Sequence, residues 1–419
     1  MKVMFISVGY MSTQMASDKQ YVRELLTALP AKINCVVWTI NDWPVSVTHE
    51  VINGQQVSVY SSSRLLHKPR YDLESVLQKK YSYTHHPAHG RFRQIAELTS
   101  SIIWHLPYLR RIVKRERPDV LHVTDNLGPI VWLLRWAIPH VPITCNRVGT
   151  AFHEEGGKFY SAFLCMCDWC CDLTICNTDA CAKQFSAAGV PRTRLLTIPW
   201  GINVPEEASR DEEMIARIRQ RYGCQKGDLL VVASPQALTG LLQAGPGMTD
   251  MLNELEEISH LFPMRCVVAV KPDHWTSDME KFRTESIMLE QGPSDFLDLL
   301  WASDIMFSPT YSRFRKSTAT PPLAWLEAMA RQTALITTFG HGVEETVVDG
   351  QTGIVYTSTS ELVAKMHRMM ENNRLEKMKK AARRMVIRRH SIEHIATIYS
   401  RIWTNLRVDN KKTIMNVSE

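Results

Sequence analysis

The amino-acid sequence predicts an α/β protein with two doubly wound domains, and three observations support this fold class. The chain has 419 residues, a length typical of two domains rather than one or three. Short β-branched runs alternate with helical patterns, as in the βαβ units of parallel sheets. The alternation stops near residue 200 and begins again at residue 229 with the apolar run LLVVA. Two Rossmann-like halves are therefore expected, with a ligand at the carboxyl edges of their strands.

Apolar runs bounded by turn residues predict the strands of each half in order. In the first half they span residues 2–8, 35–40, 57–60, 119–123, 142–145, 173–176 and 195–198. In the second half they span residues 229–233, 266–270, 305–307, 334–337 and 353–356. The pattern is helical from residue 361 to residue 406, and residues 409–419 are expected to fray.

The domain boundary is expected where this alternation is interrupted. The segment NVPEEASR at residues 203–210 is polar and predicts a linker that would serve as a hinge. The first domain is therefore expected at residues 1–204 and the second at residues 205–395. Residues 396–419 are expected to form a C-terminal helix and tail that pack back toward the first domain.

Composition and charge exclude several classes of protein. The chain is 45% hydrophobic and 22% charged, a balance that excludes a collagen, a coiled coil or a disordered chain. The net charge of +6 suits an anionic ligand or an acidic membrane surface but is low for a nucleic-acid binder. Residues 1–9 resemble a first strand rather than a signal peptide, and no run is apolar enough to span a membrane. We therefore expect a cytoplasmic protein, at most peripheral to a membrane.

The segment 302–356 carries the pattern with the clearest chemical meaning. A strand ends in a loop rich in Ser and Thr, and Thr320 and Pro321 then suit the N-cap and first position of a helix over residues 321–331. The free amides of such a helix would form an anion site facing the loop, with Glu327 two turns further on. The pattern alone equally allows an ordinary strand, loop and helix with a solvated acid.

Several short stretches of the sequence resemble the retaining GT-B glycosyltransferases of the large family four. In the second half these are ASD before the strand and SP after it, then LEAMA at 326–330, GVEE at 342–345 and DGQTG at 349–353. In the first half they are DVLH at 119–122, CDLTICNT at 171–178, GVP at 189–191 and IPWGIN at 198–203. The resemblance is specific in the second half and looser in the first.

This resemblance implies two Rossmann-like domains with a cleft between them and a nucleotide sugar held mainly by the second. Glu327 would contact the ribose of the donor, and Glu345 would lie close to its sugar. The acceptor would bind the first domain near Gly9, Tyr10 and His153. The implied donor site comprises Ser234, Thr239, Gly240, Ser317, Thr318, Ala319, Thr320, Leu323, Glu327 and Glu345.

The sequence also departs from the family pattern at charged positions. The first acid of the family's E-x7-E motif is replaced by Ala319, and Ser234 and Thr239 stand where the family has Arg and Lys. Those cations normally stabilise the leaving diphosphate. Three explanations stay open: Arg315, Lys316 and Lys271 replace them as catalytic cations beside Glu327; the donor lacks a conventional diphosphate; or catalysis is lost. The loop cations could equally be a solvated basic loop.

The function implied by the resemblance is transfer of a hexose-like sugar from a nucleotide sugar, with retention of anomeric configuration. The acceptor could be a carbohydrate, a lipid-linked molecule or a small molecule. No cofactor and no obligatory metal are expected, because helix N-termini and side-chain cations can hold phosphates. No nucleic-acid partner is expected either. The alternative is a catalytically degenerate GT-B binding or scaffold subunit.

Six cysteines crowd residues 165–181, and they allow a second chemical interpretation. A C-x2-C pair is present at Cys167 and Cys170, which is compatible with zinc or an iron–sulfur cluster. No second pair completes a ligand set at a familiar spacing. Small apolar core residues are therefore the favoured interpretation.

A basic helix is predicted around residues 108–117. Its cations are Arg110, Arg111, Lys114, Arg115 and Arg117. An amphipathic helix of this kind could lie on an anionic membrane, which would bring a lipid-linked acceptor within reach. A solvated helix face is the alternative.

Overall fold

The structure is a computed structural model of the chain. It describes residues 1–8, 17–41, 46–63, 105–124, 128–147, 168–233, 246–270, 277–291, 295–309, 321–340 and 342–417. The described residues form two compact units. The first contains the described residues up to Gly201 together with the C-terminal helix from Ile392, and the second contains Ile202–Ser391.

The first unit is built on an eight-stranded sheet. Its strands are β1 (Lys2–Val8), β2 (Asn34–Asn41), β3 (Ser46–Ile52), β4 (Gln55–Ser63), β5 (Val120–Val123), β6 (Ile143–Arg147), β7 (Leu173–Cys176) and β8 (Leu195–Thr197). Their order across the sheet is β3-β4-β2-β1-β5-β6-β7-β8, and only the β3–β4 pair is antiparallel. Central strands such as β5 are buried on both faces, which explains their unbroken apolar sequences.

The second unit is built on a six-stranded parallel sheet. Its strands are β9 (Leu229–Ala233), β10 (Met264–Val270), β11 (Ile287–Gln291), β12 (Ile305–Phe307), β13 (Ala334–Thr338) and β14 (Gly353–Tyr356). The order β11-β10-β9-β12-β13-β14 reverses between β9 and β12, as in a doubly wound fold. The first sheet has the same reversal between β1 and β5.

Eleven helices in the described part of the chain cover these sheets. They are α1 (Ser17–Ala28), α2 (residues 105–116), α3 (Gly128–Ala137), α4 (Asp179–Ala187), α5 (Glu212–Arg221), α6 (Pro246–Ser259), α7 (Phe296–Ala302), α8 (Leu323–Ala330), α9 (Thr359–Met370), α10 (Arg374–His390) and α11 (Ile392–Val417). No helix of the described residues is both long and apolar enough to cross a membrane.

Three aspartates have the same structural role at the amino edges of the sheets. Asp119, Asp172 and Asp304 directly precede β5, β7 and β12. Each carboxylate accepts a hydrogen bond from a backbone amide at the start of the neighbouring strand, at 2.8, 2.7 and 3.0 Å respectively, and pairs with an arginine. The acids of the DVLH, CDLT and ASD stretches therefore align strands at the edge opposite the one that binds ligands in such folds. Their partners are Lys2 and Arg407, Ile143 and Arg135, and Leu230 and Arg219.

The structure corrects the expected start of one helix. The prediction that Pro321 is the first residue of this helix is wrong, because α8 begins at Leu323 and Pro322 is its N-cap, with an extended ψ of 144°. A residue that precedes a proline is driven out of the helical region, so Pro321 cannot begin the helix. The proposed cap, Thr320, lies outside the described residues.

The segment expected as a linker and the C-terminal tail also differ from expectation. Residues 203–210 do not run as a free linker: the Pro205 carbonyl accepts a hydrogen bond from Arg383 at 2.7 Å, and Glu207 accepts one from Gln332 at 2.7 Å. These bonds make the segment part of the second unit. The chain expected to fray from residue 409 continues as helix to Val417.

Candidate functional site

The start of helix α8 and the carboxyl end of strand β12 form the centre of the candidate site. Seven of the eight residues in LAWLEAMA are strong helix formers. The N-cap residue, Pro322, makes no side-chain hydrogen bond to the helix, and the Trp325 amide donates to the Pro322 carbonyl at 3.0 Å. Within the described part of the chain, the amides of Leu323 and Ala324 have no capping side chain. First-turn amides of this kind at a topological switch point are suited to an anion.

A buried hydrogen bond fixes the position of this helix. The indole Nε1 of Trp325 donates to Ser308 Oγ at 2.8 Å, and both side chains are fully buried. Ser308 directly follows β12, so the bond ties the first turn of α8 to the end of the strand. This pair was not predicted from the sequence. The one signal available was the tryptophan in a largely apolar helix, since a buried indole needs an acceptor.

Glu327 lies in the second turn of α8 and forms an ion pair with Arg331, one turn further along the same helix. The side chains of Glu327 and Arg331 are only 14% and 9% exposed. A second bond from Arg331 Nη1 reaches the Glu327 carbonyl at 3.2 Å. In this pair the Glu327 carboxylate accepts a hydrogen bond from Arg331 Nη1.

The turn after strand β13 lies at the same edge of the sheet. Strands β12 and β13 are parallel neighbours, so their carboxyl ends coincide. Gly342, at φ 87°, begins the 3₁₀ turn Val343–Glu345, and the Glu345 carbonyl accepts from Arg389 at 3.4 Å. The edge thus brings together helix α8, which carries Leu323 and Glu327, and the turn that carries Glu345.

The other predicted donor residues lie outside the described residues. They are Ser234, Thr239, Gly240, Lys271, Arg315, Lys316, Ser317, Thr318, Ala319 and Thr320. The predicted acceptor residues Gly9, Tyr10 and His153 also lie outside them. The roles proposed for these residues stay predictions.

A buried ion pair lies at the carboxyl end of β6 in the first unit, where the resemblance places the acceptor. Arg147 Nε donates to Asp168 Oδ1 at 2.8 Å, and neither side chain is exposed. Arg147 Nη1 and Asp168 Oδ2 are buried and have no hydrogen-bond partner among the described residues. This pair was not predicted from the sequence, because its members are 21 positions apart along the chain.

Six of the eight described cysteines are buried, and Cys170 and Cys224 are partly buried. Cys171, Cys176 and Cys181 are buried free thiols. Burial raises the pKa of the Cys171 thiol well above its ordinary value, which disfavours the thiolate that binds metals. No group of three metal-ligating side chains occurs among residues that the structure describes. Two members of the cluster, Cys165 and Cys167, lie outside them.

Comparisons with known proteins give two family matches. The family described as Glycosyltransferase Family 4 matches residues 20–206, and the family described as Glycosyl transferase-like matches residues 250–400. No protein with a curated description matches the sequence.

Solved structures match the fold over nearly the whole chain. The Anabaena protein HepE in complex with UDP is 13% identical, with a TM-score of 0.64 over 97% of this chain and 100% of that chain. Sucrose-phosphate synthase from Thermosynechococcus elongatus is 14% identical, with a TM-score of 0.68 over 97% and 99% of the two chains. The α,α-trehalose 6-phosphate synthase from Burkholderia multivorans is 11% identical, with a TM-score of 0.64 over 100% and 99%.

Proposed function

The chain belongs to the glycosyltransferases with the GT-B fold, and from that premise we propose that it transfers a sugar from a uridine-diphosphate sugar to an acceptor with retention of anomeric configuration. The observation that carries the proposal is the start of α8, which has no side-chain cap among the described residues and lies one turn before the Glu327–Arg331 pair. The choice of nucleotide rests on HepE, whose structures hold UDP and UDP-glucose.

In this proposal the first-turn amides of α8 bind the diphosphate. The Glu327 carboxylate accepts hydrogen bonds from the ribose hydroxyls, which are donors that a charged carboxylate prefers. The ion pair with Arg331 holds the Glu327 carboxylate, so this hydrogen-bonding group is oriented before the nucleotide sugar binds. A side chain that is already oriented loses less conformational entropy on binding than a mobile one.

Transfer with retention proceeds by attack on the face from which UDP leaves. The bond from the anomeric carbon to the phosphate oxygen breaks, a bond to the acceptor oxygen forms, and the acceptor proton goes to the departing phosphate. The protein then contributes positioning and charge stabilisation. Arg315, Lys316 and Lys271 are proposed to supply that charge in place of the family's Arg and Lys, without a metal or cofactor.

The nucleotide part of this proposal is tested by calorimetry with UDP. Glu327→Gln should weaken UDP affinity about tenfold, because a charged hydrogen bond is worth about 1.5–3 kcal/mol. Glu344→Gln, an exposed acid near the same edge, is the matched control and should leave affinity unchanged. Equal affinity of wild type and Glu327→Gln would refute the assigned role.

The transfer part is tested by incubating the protein with UDP-glucose and a panel of carbohydrate, lipid-linked and small-molecule acceptors. NMR of the product should show the anomeric configuration of the donor. The replaced positions Ala319, Ser234 and Thr239 favour a second candidate, a degenerate binding subunit. Tight UDP-glucose binding without transfer or hydrolysis would support that second candidate instead.

A further inference from the structure

Three tryptophans are exposed among the described residues of the first unit. Trp132 and Trp136 lie one turn apart on α3 and are 41% and 67% exposed, and Trp169 is 52% exposed. The opposite face of α3 packs into the core through Val131 and Leu134. The exposed indoles therefore add nothing to that core, and clustered apolar side chains at a surface indicate a docking site.

Hydrogen bonds and ring contacts join these tryptophans to neighbouring arginines. Arg110 of α2 lies 5.2 Å from the ring centroid of Trp136 and donates to the Ala137 carbonyl at 3.1 Å. Arg194 lies 5.6 Å from the ring centroid of Trp169 and donates to its carbonyl at 2.6 Å. Both tryptophans thus carry a guanidinium against the ring.

A further bond shows that these contacts belong to one continuous surface. Arg135 of α3 donates from Nε to the Cys170 carbonyl at 3.0 Å, which links α3 to the segment that carries Trp169. We call the result the tryptophan–arginine surface. It comprises Trp132, Trp136, Trp169, Arg110, Arg111, Lys114, Arg115 and Arg194.

The charge of this surface is strongly positive along α2. Arg110, Arg111, Lys114 and Arg115 are all exposed. The one acid in residues 105–117 is Glu116, which pairs with Lys2 at 3.0 Å and with Arg115 at 3.8 Å. Arg110, Arg111 and Lys114 therefore have no acid paired with them within residues 105–117.

We propose that the tryptophan–arginine surface seats the first unit on an anionic lipid bilayer. Indole rings favour the boundary between headgroups and acyl chains, where an apolar ring and a polar N–H are both accommodated. Lysine and arginine beside them bind anionic headgroups and keep their stems in apolar contact. Stacking of nucleic-acid bases is disfavoured, because guanidinium groups already lie against the rings of Trp136 and Trp169.

The test is co-sedimentation of the full chain with vesicles. Wild type should pellet with phosphatidylcholine vesicles that contain phosphatidylglycerol, stay in solution with phosphatidylcholine alone, and be released by salt. Arg111→Glu with Lys114→Glu should lower partitioning about tenfold or more. Trp132→Ser with Trp136→Ser should lower it by a similar factor, because the indoles supply the apolar part of the contact.

Matched variants on the second unit control for charge and apolarity. Lys380→Glu with Arg384→Glu makes the same charge change on exposed residues of α10, and Leu261→Ser with Leu297→Ser removes exposed apolar groups. Both controls should bind vesicles as wild type does. UDP affinity in solution should be unchanged in the surface variants, so a failure here is separate from a failure of the proposed sugar transfer.

Three outcomes would overturn the proposal. The first is that the wild-type protein does not co-sediment with anionic vesicles. The second is vesicle binding that survives both surface variants. The third is salt-sensitive retention on single-stranded DNA, or self-association in solution, that the tryptophan variant abolishes while vesicle binding stays intact.

Discussion

The Trp325 indole donates to the Ser308 hydroxyl at 2.8 Å, inside the second unit and away from solvent. This bond links the first turn of α8 to the residue that follows β12. The proposed phosphate-binding amides belong to that turn, so their position relative to the sheet depends on a contact between two side chains. A change in either side chain should therefore alter ligand affinity without touching the ligand.

Trp325→Phe should lower the free energy of unfolding by about 1–2 kcal/mol, since it leaves the Ser308 hydroxyl buried without its donor. It should also weaken UDP binding in calorimetry. Ser308→Ala is the matched variant, and the double variant should cost less than the sum of the two by about 1 kcal/mol, because both remove the same bond. Strict additivity in chemical denaturation would show that the bond has no energetic role.

Arg147→Met should destabilise the protein by about 3–5 kcal/mol, because it leaves the Asp168 charge buried and unpaired. Adding Asp168→Leu should recover much of that loss, since two apolar side chains leave no uncompensated charge. The exposed pair Arg283 and Glu280 provides the control, and Glu280→Gln should cost less than about 1 kcal/mol. Comparable losses for the buried and exposed pairs in urea titrations would contradict this prediction.

His122 should make stability fall as the pH falls. The imidazole is buried among Phe5, Tyr399 and Trp403, and burial lowers its pKa from 6.5 to about 3. The unfolded state therefore binds a proton between pH 6.5 and about 3 that the folded state does not bind. In that window the His122 contribution to the free energy of unfolding falls by about 1.4 kcal/mol for each unit the pH drops.

The measurement is denaturant unfolding at several pH values between about 6.5 and 4. Wild type should show the extra slope, and His122→Gln should lose it even if its stability at neutral pH is lower. His49→Gln, which removes an exposed imidazole, is the control. If wild type and His122→Gln have identical pH slopes, the pH dependence of stability does not come from His122.

The central strands could be predicted from the sequence, because parallel strands buried on both faces have continuous apolar sequences. The prediction of two doubly wound α/β units is confirmed. Strand β3 was missed, although the Asn53-Gly54 pair between β3 and β4 is a strong hairpin signal. Both residues have positive φ, at 49° and 71°. The apolar run of β4 was predicted as a strand, whereas the alternation of half-buried and exposed residues along β3 was not.

The candidate site was predictable only as far as local motifs extend. The LEAMA and GVEE stretches located Glu327 and Glu345, because each motif lies on one element. Pairs such as Trp325 and Ser308, or Arg147 and Asp168, join residues that are distant in sequence, and a single sequence contains no record of such contacts. Which cations neutralise the diphosphate stays a prediction, since the residues concerned lie outside the described ranges.

Gln332 follows α8, and its backbone lies in the left-handed region at φ 59°. Its side-chain Nε2 donates a hydrogen bond to Glu207 Oε1 at 2.7 Å. A residue with a Cβ is strained there by about 1–2 kcal/mol, and glycine is not. Gln332→Ala keeps the strain and loses the bond, so it should destabilise the protein by about 1 kcal/mol. Gln332→Gly loses the same bond but relieves the strain, so it should be more stable than Gln332→Ala by about 1 kcal/mol in urea unfolding. The opposite order would mean that the chain entropy of glycine in the unfolded state outweighs the strain. Glu207→Ala tests the bond alone, because it removes the accepting oxygens and leaves the backbone at residue 332 unchanged. It should reproduce only the part of the loss common to both Gln332 variants.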